Sequence, residues 1–139
     1  MENKTPHEMK AYLHSHHVLV LATAYKDRLS SCSVFYAYST EDNCLVFASQ
    51  NTSEHIQNIL NNSRVAACIH NEERELDKIK GLQIKGRVQP AERQHEEVYL
   101  HDFPEAKDFE KDIWVLYIEE LKYTDNELLG LGKKKIFKG

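Results

Sequence analysis

The 139-residue sequence predicts a mainly β fold, an antiparallel six-stranded barrel with lateral α-helices. Three observations lead to this prediction. About six segments have the apolar or alternating pattern of strands, a short helical segment follows the third, and further helical segments lie between the fifth and the sixth. Strands and helices do not alternate regularly, which is contrary to a doubly wound sheet. No linker or internal repeat divides the sequence, so we expect one domain over residues 1–139.

The first element is a predicted helix that begins at Thr5 and ends near His16. Its start has the pattern of a capping box, because Thr5 at the N-cap is followed by Pro6 at the first helical position and Glu8 at the third. The apolar residues that recur at helical spacing are Met9, Tyr12 and Leu13. The pattern therefore predicts a capped helix with one apolar side.

Three strands are predicted next. The segment from His17 to Thr23 is continuously apolar, as expected for a strand that is buried on both faces. Ser31–Ser39 is rich in aromatic and β-branched residues, and it leads into a polar turn at residues 39–43. Cys44–Ser49 then returns as the partner strand, so these segments are expected to form a hairpin.

The three cysteines, Cys32, Cys44 and Cys68, are predicted to be free thiols. Their number is odd, and none lies in a C-x-x-C pattern. A hairpin over residues 30–49 places Cys44 opposite about Ser39, too far from Cys32 for a disulfide. Free thiols are typical of proteins in a reducing compartment.

Asn51-Thr52-Ser53 offers hydroxyl groups that can cap a short helix. The apolar residues on one face of that helix are Ile56, Ile59 and Leu60. Beyond it, the pattern predicts a fourth strand at Arg64–Ile69, an exposed connection at His70–Lys80 and a cleanly alternating fifth strand at Gly81–Val88.

The last third of the sequence mixes helix and strand. Residues 91–109 are helical in composition but contain Pro104, so two short helices are expected rather than one. Ile113–Ile118 is a predicted strand that contains the only tryptophan. Residues 121–137 combine a further strand with a turn at Gly130-Leu131-Gly132.

Composition excludes several classes of partner. Lys and Arg number 18 against 22 Asp and Glu, and the resulting net charge of -4 lacks the basic surface that binds nucleic acid. The longest apolar run, Val18–Ala22, is too short to span a membrane. The N-terminal residues 1–4 lead into polar residues rather than the core of a signal peptide. We therefore expect a cytoplasmic protein.

The eight histidines raise the question of a metal site. His14 and His17 are three residues apart and can share a helix face, and His95 and His101 flank a predicted helix. No Cys, Asp or Glu at ligand spacing completes either set, so we predict no metal site. The sequence also contains no nucleophile elbow, Walker loop or dinucleotide fingerprint, and no catalytic residue is assigned.

Several strings resemble the pyridoxamine 5′-phosphate oxidase-like, FMN-binding split barrels, and within them the short YhbP-like branch. The strings are Ser33-Val34-Phe35-Tyr36, Leu45-Val46-Phe47-Ala48-Ser49, Gly81-Leu82-Gln83-Ile84-Lys85-Gly86, and Lys122-Tyr123-Thr124-Asp125-Asn126 followed by Gly130-Leu131-Gly132-Lys133-Lys134. The resemblance covers about residues 8–138, and its most specific string is Lys122–Asn126. It implies a split six-stranded barrel and a homodimer with FMN in the groove between its subunits.

The resemblance also implies which residues contact the cofactor. The second strand, through Ser33, Phe35 and Tyr36, would line the isoalloxazine ring. The end of the third strand and the following turn would hold the ribityl chain and the phosphate, and the residues concerned are Ser49, Gln50, Thr52, Ser53 and His55. Independently of the resemblance, backbone N–H groups and hydroxyls at a helix start favour an anion.

Two further residues are candidates for ligand contact. Gln83 lies opposite the inward residues of its strand and can reach a ligand there, and Lys134 in the Lys133-Lys134-Lys135 run can approach a phosphate. Each candidate also has a purely structural interpretation. Ser53 or Thr52 can simply cap the helix, the second strand can pack in the core, Gln83 can be an exposed strand residue, and the lysines can protect a sheet edge.

The sequence departs from the family at the phosphate turn, where Glu54 and His55 occupy positions at which typical members carry an Arg-Lys pair. Loss of two cations and gain of a carboxylate predict weaker phosphate binding. The leading hypothesis is an FMN-dependent oxidoreductase that acts on a small molecule at the dimer groove. The alternatives are a non-enzymatic flavin-binding or haem-binding module and a structural dimer without a ligand.

Overall fold

The structure, a computed structural model, describes residues 3–108 and 111–139, and within these ranges it contains seven strands and four α-helices. In chain order they are α1 His7–Ser15, β1 Val18–Tyr25, β2 Arg28–Ser39, β3 Cys44–Ser49, α2 Glu54–Asn61, β4 Arg64–His70, β5 Lys80–Pro90, α3 Arg93–Asp102, β6 Asp112–Asp125, α4 Asn126–Leu129 and β7 Lys134–Lys138. Two 3₁₀ helices lie at Leu76–Lys78 and Pro104–Asp108.

The strands form one antiparallel sheet in the order β3-β2-β1-β4-β5-β6. A further pairing between β3 and β6 closes these six strands into a barrel, and β7 pairs with β6 outside it. The predicted six-stranded antiparallel barrel is therefore confirmed. Closure gives each of the six strands two neighbouring strands, although β2 pairs with β3 only through residues 36–39.

Strand β6 is long because it pairs with three neighbouring strands. One edge pairs with β5 along nearly its whole length, whereas the other edge pairs first with β3 and then, over residues 120–124, with β7. The prediction of two separate strands here was wrong. The charged pair Glu119-Glu120 interrupts the apolar pattern, yet the strand continues through a bulge in which Glu119 has no partner on β5.

The bulge requires a glycine on the facing strand. Gly86 pairs with Ile118, and a Cβ at Gly86 would lie 2.1 Å from the carbonyl oxygen of Tyr117. Such an approach is possible only without a side chain. Gly86 therefore lets β5 follow the bend of β6 while both stay in the barrel.

The barrel interior is filled by the inward residues of alternating strands. On β5 the predicted alternation is confirmed, since Leu82, Ile84 and Val88 are buried and Gln83 is exposed. The fully buried large side chains of the interior include Tyr36, Leu45, Phe47 and Leu116. Burial of this apolar set is the main source of the fold's stability.

Helix α1 packs on the barrel as predicted through Met9, Tyr12 and Leu13, which are all buried. The predicted N-cap at Thr5 was wrong, because the helix begins after Pro6, whose carbonyl accepts the first backbone hydrogen bonds. The Thr5 hydroxyl is buried and has no hydrogen-bond partner among the described residues. Extended backbone at Pro6 makes that residue, and not Thr5, the boundary of the helix.

Strand β1 was expected to be buried on both faces, and this was wrong. Its residues alternate, with Leu19, Leu21 and Thr23 inward and Val18 and Ala22 exposed. A continuous apolar run is consistent with either arrangement from sequence alone. The outward face of β1 is therefore an apolar surface that the described part of the chain leaves open.

Helix α2 lies across the barrel on Ile56 and Ile59, as predicted, but the predicted contact of Leu60 was wrong because its side chain is 60% exposed. The third buried position is instead Asn58. Its amide is satisfied on both sides, accepting from Arg28 Nε at 2.7 Å and donating to Thr23 Oγ1 at 3.1 Å. Burial of a polar group is tolerated when it is fully hydrogen-bonded.

Helix α3 and the following 3₁₀ helix confirm the predicted break at Pro104, although Phe109, the last residue of the predicted segment, lies outside the described residues. They cover the outer face of β2, β3 and β6, where a second apolar cluster is formed by Ala37, Cys44, Val46, Tyr99 and Val115. A capping box between Glu92 and His95 opens α3. His95 Nε2 also lies 3.3 Å from Asp42 Oδ2, which attaches α3 to the β2–β3 turn.

The C-terminal segment is held by Asp125, which is 5% exposed. Its Oδ1 accepts from the backbone N–H of Leu128 at 3.0 Å and caps α4, while Tyr123 Oη donates to Oδ2 at 3.1 Å. Gly130 and Gly132 adopt positive φ angles of 103° and 78° in the predicted turn to β7. All three cysteines are free, as predicted, and none of the described helices is long and apolar enough to cross a lipid bilayer.

Candidate functional site

A cavity of about 420 Å³ lies between the outer face of β2 and β3, the start of α2, and the α3 region. Its size is typical of sites that hold a small ligand or cofactor. The residues that line it are Ser33, Val34, Phe35, Ala48, Ser49, His55, Tyr99, Phe103, Glu105, Ala106 and Lys111. The cavity thus has an aromatic wall, a polar end and a charged rim.

The aromatic wall is formed by Phe35, Tyr99 and Phe103. The rings of Phe35 and Phe103 meet edge to face with centroids 6.0 Å apart, and those of Tyr99 and Phe103 are 5.0 Å apart. Phe35 is nevertheless 60% exposed, so much of its ring is available to another molecule. Such a wall suits a flat, largely apolar ring system.

The polar end is formed where β3 passes into α2. The Ser49 hydroxyl and His55 Nε2 form a short hydrogen bond. Ser53 Oγ donates to the carbonyl of Gln50 at 2.6 Å and lies 3.3 Å from His55 Nε2. Burial lowers the pKa of His55 below its ordinary value, so the imidazole is neutral at pH 7.

No side chain in the described ranges caps the start of α2. Ser53 occupies the N-cap position in extended backbone, but its hydroxyl points to Gln50 rather than into the helix. The predicted capping by Thr52 or Ser53 was therefore wrong. The first backbone N–H groups of α2 remain without a side-chain partner, which is the arrangement that can receive an oxygen atom from a ligand.

The charged rim carries one acidic and one basic residue, Glu105 and Lys111. Burial raises the pKa of Tyr99, and the nearby carboxylate of Glu105 raises it further. Tyr99 is therefore a neutral phenol throughout the physiological range.

The structure brings together four of the residues singled out from sequence, since Ser33, Phe35, Ser49 and His55 all line the cavity. Ser53 and Gln50 lie directly behind them through the hydrogen bonds of the polar end. Thr52 is exposed in the turn just before α2.

Three other candidates lie away from the cavity lining, as far as the described side chains go. Tyr36 points into the barrel, where its hydroxyl donates to the carbonyl of Leu13 at 2.8 Å. Gln83 is exposed on β5, and Lys134 is exposed on β7 opposite Thr124. A ligand within the cavity of one chain therefore does not meet these residues.

The residues that sequence reasoning missed come from the α3 region. Tyr99 and Phe103 are four residues apart, which places them on one side of the chain as it leaves α3. This spacing is visible in the sequence, but the strand on which the pair rests is not. Their role in the cavity therefore depends on tertiary packing.

A second polar cluster lies beneath α3, where ligand atoms of Asp42, Cys44 and His95 lie within 4.8 Å of one another. The hydrogen bonds oppose metal binding. His95 Nδ1 accepts from the backbone N–H of Glu92 at 3.0 Å, so the ring proton is on Nε2, facing Asp42. Burial raises the pKa of the Cys44 thiol to about 12, and it stays protonated.

The outward faces of β1, β2 and β4 form an apolar surface next to the cavity. Val18 is 43% exposed and Leu29 76% exposed, and Ser33 and Phe35 belong both to this surface and to the cavity. The register continues the surface across the sheet, since Val20 pairs with Ser33 on one side and with Cys68 on the other. The outward face of these strands is therefore largely apolar and leaves several apolar side chains exposed.

Comparison with known sequences identifies relatives along most of the chain. The family model described as "Pyridoxamine 5'-phosphate oxidase" matches residues 5–125. The UPF0306 protein plu4501 of Photorhabdus laumondii is 34% identical over 127 residues, which cover 88% of this chain and 88% of that protein. The UPF0306 protein YhbP of Salmonella paratyphi A is 27% identical over 127 residues, with 88% and 86% covered.

Comparison with solved structures finds the same fold at low sequence identity. A haem-binding protein from Mycobacterium smegmatis matches with a TM-score of 0.73 and 18% identity, covering 89% of this chain and 53% of that one. An FAD-binding protein from Mesorhizobium loti matches with a TM-score of 0.67 and 19% identity, covering 82% and 89%. These likenesses establish the architecture of the barrel.

Proposed function

The chain belongs to the pyridoxamine 5′-phosphate oxidase family and, within it, to the short YhbP-like proteins, and we propose that it binds a flavin, FMN by resemblance, and acts as a flavin-dependent oxidoreductase. The observation that carries the proposal is the cavity, which joins an aromatic wall to the uncapped start of a helix. A flavin has a flat ring and a polar tail, and the two parts of the cavity match them in order.

The chain's own residues have distinct roles in this proposal. Phe35 and Phe103 would pack against the ring, with Ser33 at its polar edge, while Ser49 and the backbone of α2 would receive the tail. A bound flavin would supply the electron transfer. The protein would hold the ring, exclude water from its covered side and place a small substrate against the other.

We also propose that two copies of the chain complete the site. The apolar surface of β1, β2 and β4 shares Ser33 and Phe35 with the cavity, so a second chain placed on that surface would border the ligand directly. Burial of this surface would also explain why β1 has an apolar outward face.

The first test is a flavin titration of the purified protein, with its mass in solution measured by light scattering. We expect a dimer that quenches flavin fluorescence. Phe35→Ala should weaken flavin binding about tenfold, since an aromatic contact is worth roughly 1 kcal/mol beyond its area. The matched control is Leu60→Ala, because Leu60 is also 60% exposed but lies outside the cavity. A dimer that fails to bind FMN even at millimolar concentration would contradict the proposal.

A second candidate function is haem binding. The supporting observation is His55, the one histidine that lines the cavity among the described residues, together with the fold shared with a haem-binding protein. A neutral imidazole is a suitable axial ligand. A haem titration should then give a Soret band that His55→Ala abolishes, whereas an unchanged band would rule out ligation by His55.

A further inference from the structure

The segment of residues 49–55, which forms the polar end of the cavity, contributes no positive charge of its own. Residues 49–55 contain no Lys or Arg, and the only formally charged side chain among them is Glu54, which is exposed in the first turn of α2. A phosphate monoester carries close to two negative charges at pH 7. A phosphate placed here would find no fixed cation within residues 49–55, and the lysine of the cavity lining is Lys111, which precedes Asp112 opposite Ser49.

His55 does not supply the missing charge. It is the residue closest to a cation in this segment, but burial lowers the pKa of its imidazole, so protonation at neutral pH is unfavourable. Its Nε2 is also already engaged with the hydroxyls of Ser49 and Ser53. A phosphate would therefore have to displace existing hydrogen bonds in order to reach the ring.

The hydroxyl groups are largely committed as well. Ser53 gives its proton to the carbonyl of Gln50, and Ser49 either donates to His55 or accepts from it. What remains are the exposed Thr52 hydroxyl, at most the Ser49 proton, and backbone N–H groups of α2. These neutral donors suit the alcohol groups of a polyol, which need single hydrogen bonds and no charge compensation.

Among the described residues, the rest of the cavity lining adds no net charge. Glu105 and Lys111 contribute one charge of each sign to the lining, and Lys134 is not part of the lining of this chain. The aromatic wall, by contrast, suits an isoalloxazine ring irrespective of the tail attached to it. Affinity in this site therefore comes from the ring and not from a phosphate.

We propose that the site accepts a flavin with an uncharged tail, of the riboflavin type, at least as tightly as the phosphorylated flavin. The inference rests on the proposed flavin-binding function. It predicts that removing the phosphate, which weakens binding at a site built for a dianion, has little effect here. The same chemistry makes flavin binding weakly dependent on salt, because few ions are exchanged.

The test is a parallel titration of the wild-type protein with riboflavin and with FMN, followed by flavin fluorescence at neutral pH and two salt concentrations. We expect dissociation constants within about threefold of each other, or tighter for riboflavin. FMN binding at least tenfold tighter than riboflavin would overturn the inference and leave the flavin function intact. Binding of neither flavin would overturn both.

The double variant Glu54→Arg with His55→Lys tests the opposite case, in which positive charge is added at the start of α2. It should strengthen FMN binding relative to riboflavin binding by about tenfold or more, since only FMN carries the phosphate. The matched control is His7→Lys with Glu72→Arg, which makes the same change of charge at exposed positions outside the cavity lining. An FMN affinity that rises equally in both variants, or in neither, would contradict a phosphate position at the start of α2.

Discussion

Two places in this molecule have a similar plan, a strand that is followed within a few residues by a short helix. At the end of β6, Asp125 caps α4 and receives a hydrogen bond from Tyr123, so the helix start is satisfied by its own chain. At the end of β3, Ser53 turns its hydroxyl away and the described side chains leave α2 uncapped. The first arrangement is complete as a structural element, and the second has donors available for a ligand.

This difference explains why two segments that both resemble the family give different information, one about the fold and the other about the ligand. The Lys122–Asn126 string is specific for the fold because its residues stabilise one another in the closed barrel. The segment of residues 49–55 instead borders the cavity, where Ser49 and His55 belong to the lining. Resemblance in Lys122–Asn126 therefore identifies the barrel architecture, whereas the side chains of residues 49–55 bear on which ligand the cavity accepts.

The largest effect is expected from removing the cap at the start of α4. Asp125→Ala removes the cap of α4 and leaves the buried Tyr123 hydroxyl without its acceptor. Loss of a cap costs about 1 kcal/mol and an orphaned buried hydroxyl about 1–3 kcal/mol, so we expect a loss of about 2–4 kcal/mol in the free energy of unfolding. Urea denaturation followed by tryptophan fluorescence measures it.

The comparison variant is Ser53→Ala at the other helix start. Because Ser53 makes no cap, its removal should cost no more than about 1 kcal/mol, since the hydroxyl gives up only its hydrogen bond to the carbonyl of Gln50 and its contact with His55 Nε2. Equal losses in the two variants would mean that the two helix starts do not differ as described.

A smaller effect is expected from adding a side-chain cap at the start of α2. Ser53→Asp places a carboxylate at the N-cap of α2, where it can accept from the first-turn N–H groups and interact favourably with the helix dipole. We expect a gain of about 0.5–1 kcal/mol in stability together with weaker binding of FMN, whose phosphate would compete for the same donors. Thermal unfolding and a flavin titration on one sample test both parts, and a gain in FMN affinity would contradict the second.

The smallest expected effect is the pH dependence contributed by His55. Its pKa is lowered in the folded state, so the unfolded chain binds more protons as the pH falls through about 6.5, and stability is lost on acidification. The imidazole is partly exposed, so the loss should be well below the roughly 1.4 kcal/mol that a full pKa unit carries. Urea midpoints at pH 7.5 and 5.5 should differ less in His55→Gln than in the wild type. An identical pH response in the two proteins would exclude His55 as a contributor.

Sequence patterns predicted most of the barrel because the relevant signals are local. The alternation of β5 and the β2–β3 hairpin with its turn follow from period-two burial and turn residues. The continuity of β6 was not predictable, since the bulge at Glu119 depends on Gly86 of another strand. Likewise, the sequence could not distinguish a β1 buried on both faces from one with an open apolar face.

The candidate site was predictable only in part. Ser33, Phe35, Ser49 and His55 come from two strands and a helix that follow one another in the chain, and a family resemblance was enough to group them. Tyr99 and Phe103 follow β5 in the sequence and are distant from the other lining residues along the chain. They reach the same cavity because α3 packs across β2 and β3. Side-chain hydrogen bonds are also invisible in sequence, and the pairing of Ser49 with His55 is what changes the expected ligand.

The long strand β6 has a consequence for how the protein is made in the cell. Strand β3 finds one of its two partners in β2 almost at once, but its other edge pairs with residues 112–117 of β6. At a synthesis rate of about 5–20 residues per second, that apolar edge waits on the order of several seconds on the ribosome before its partner emerges. During this interval the nascent chain presents an unpaired strand, the feature from which aggregation starts. Closure of the barrel therefore has to await the synthesis of β6.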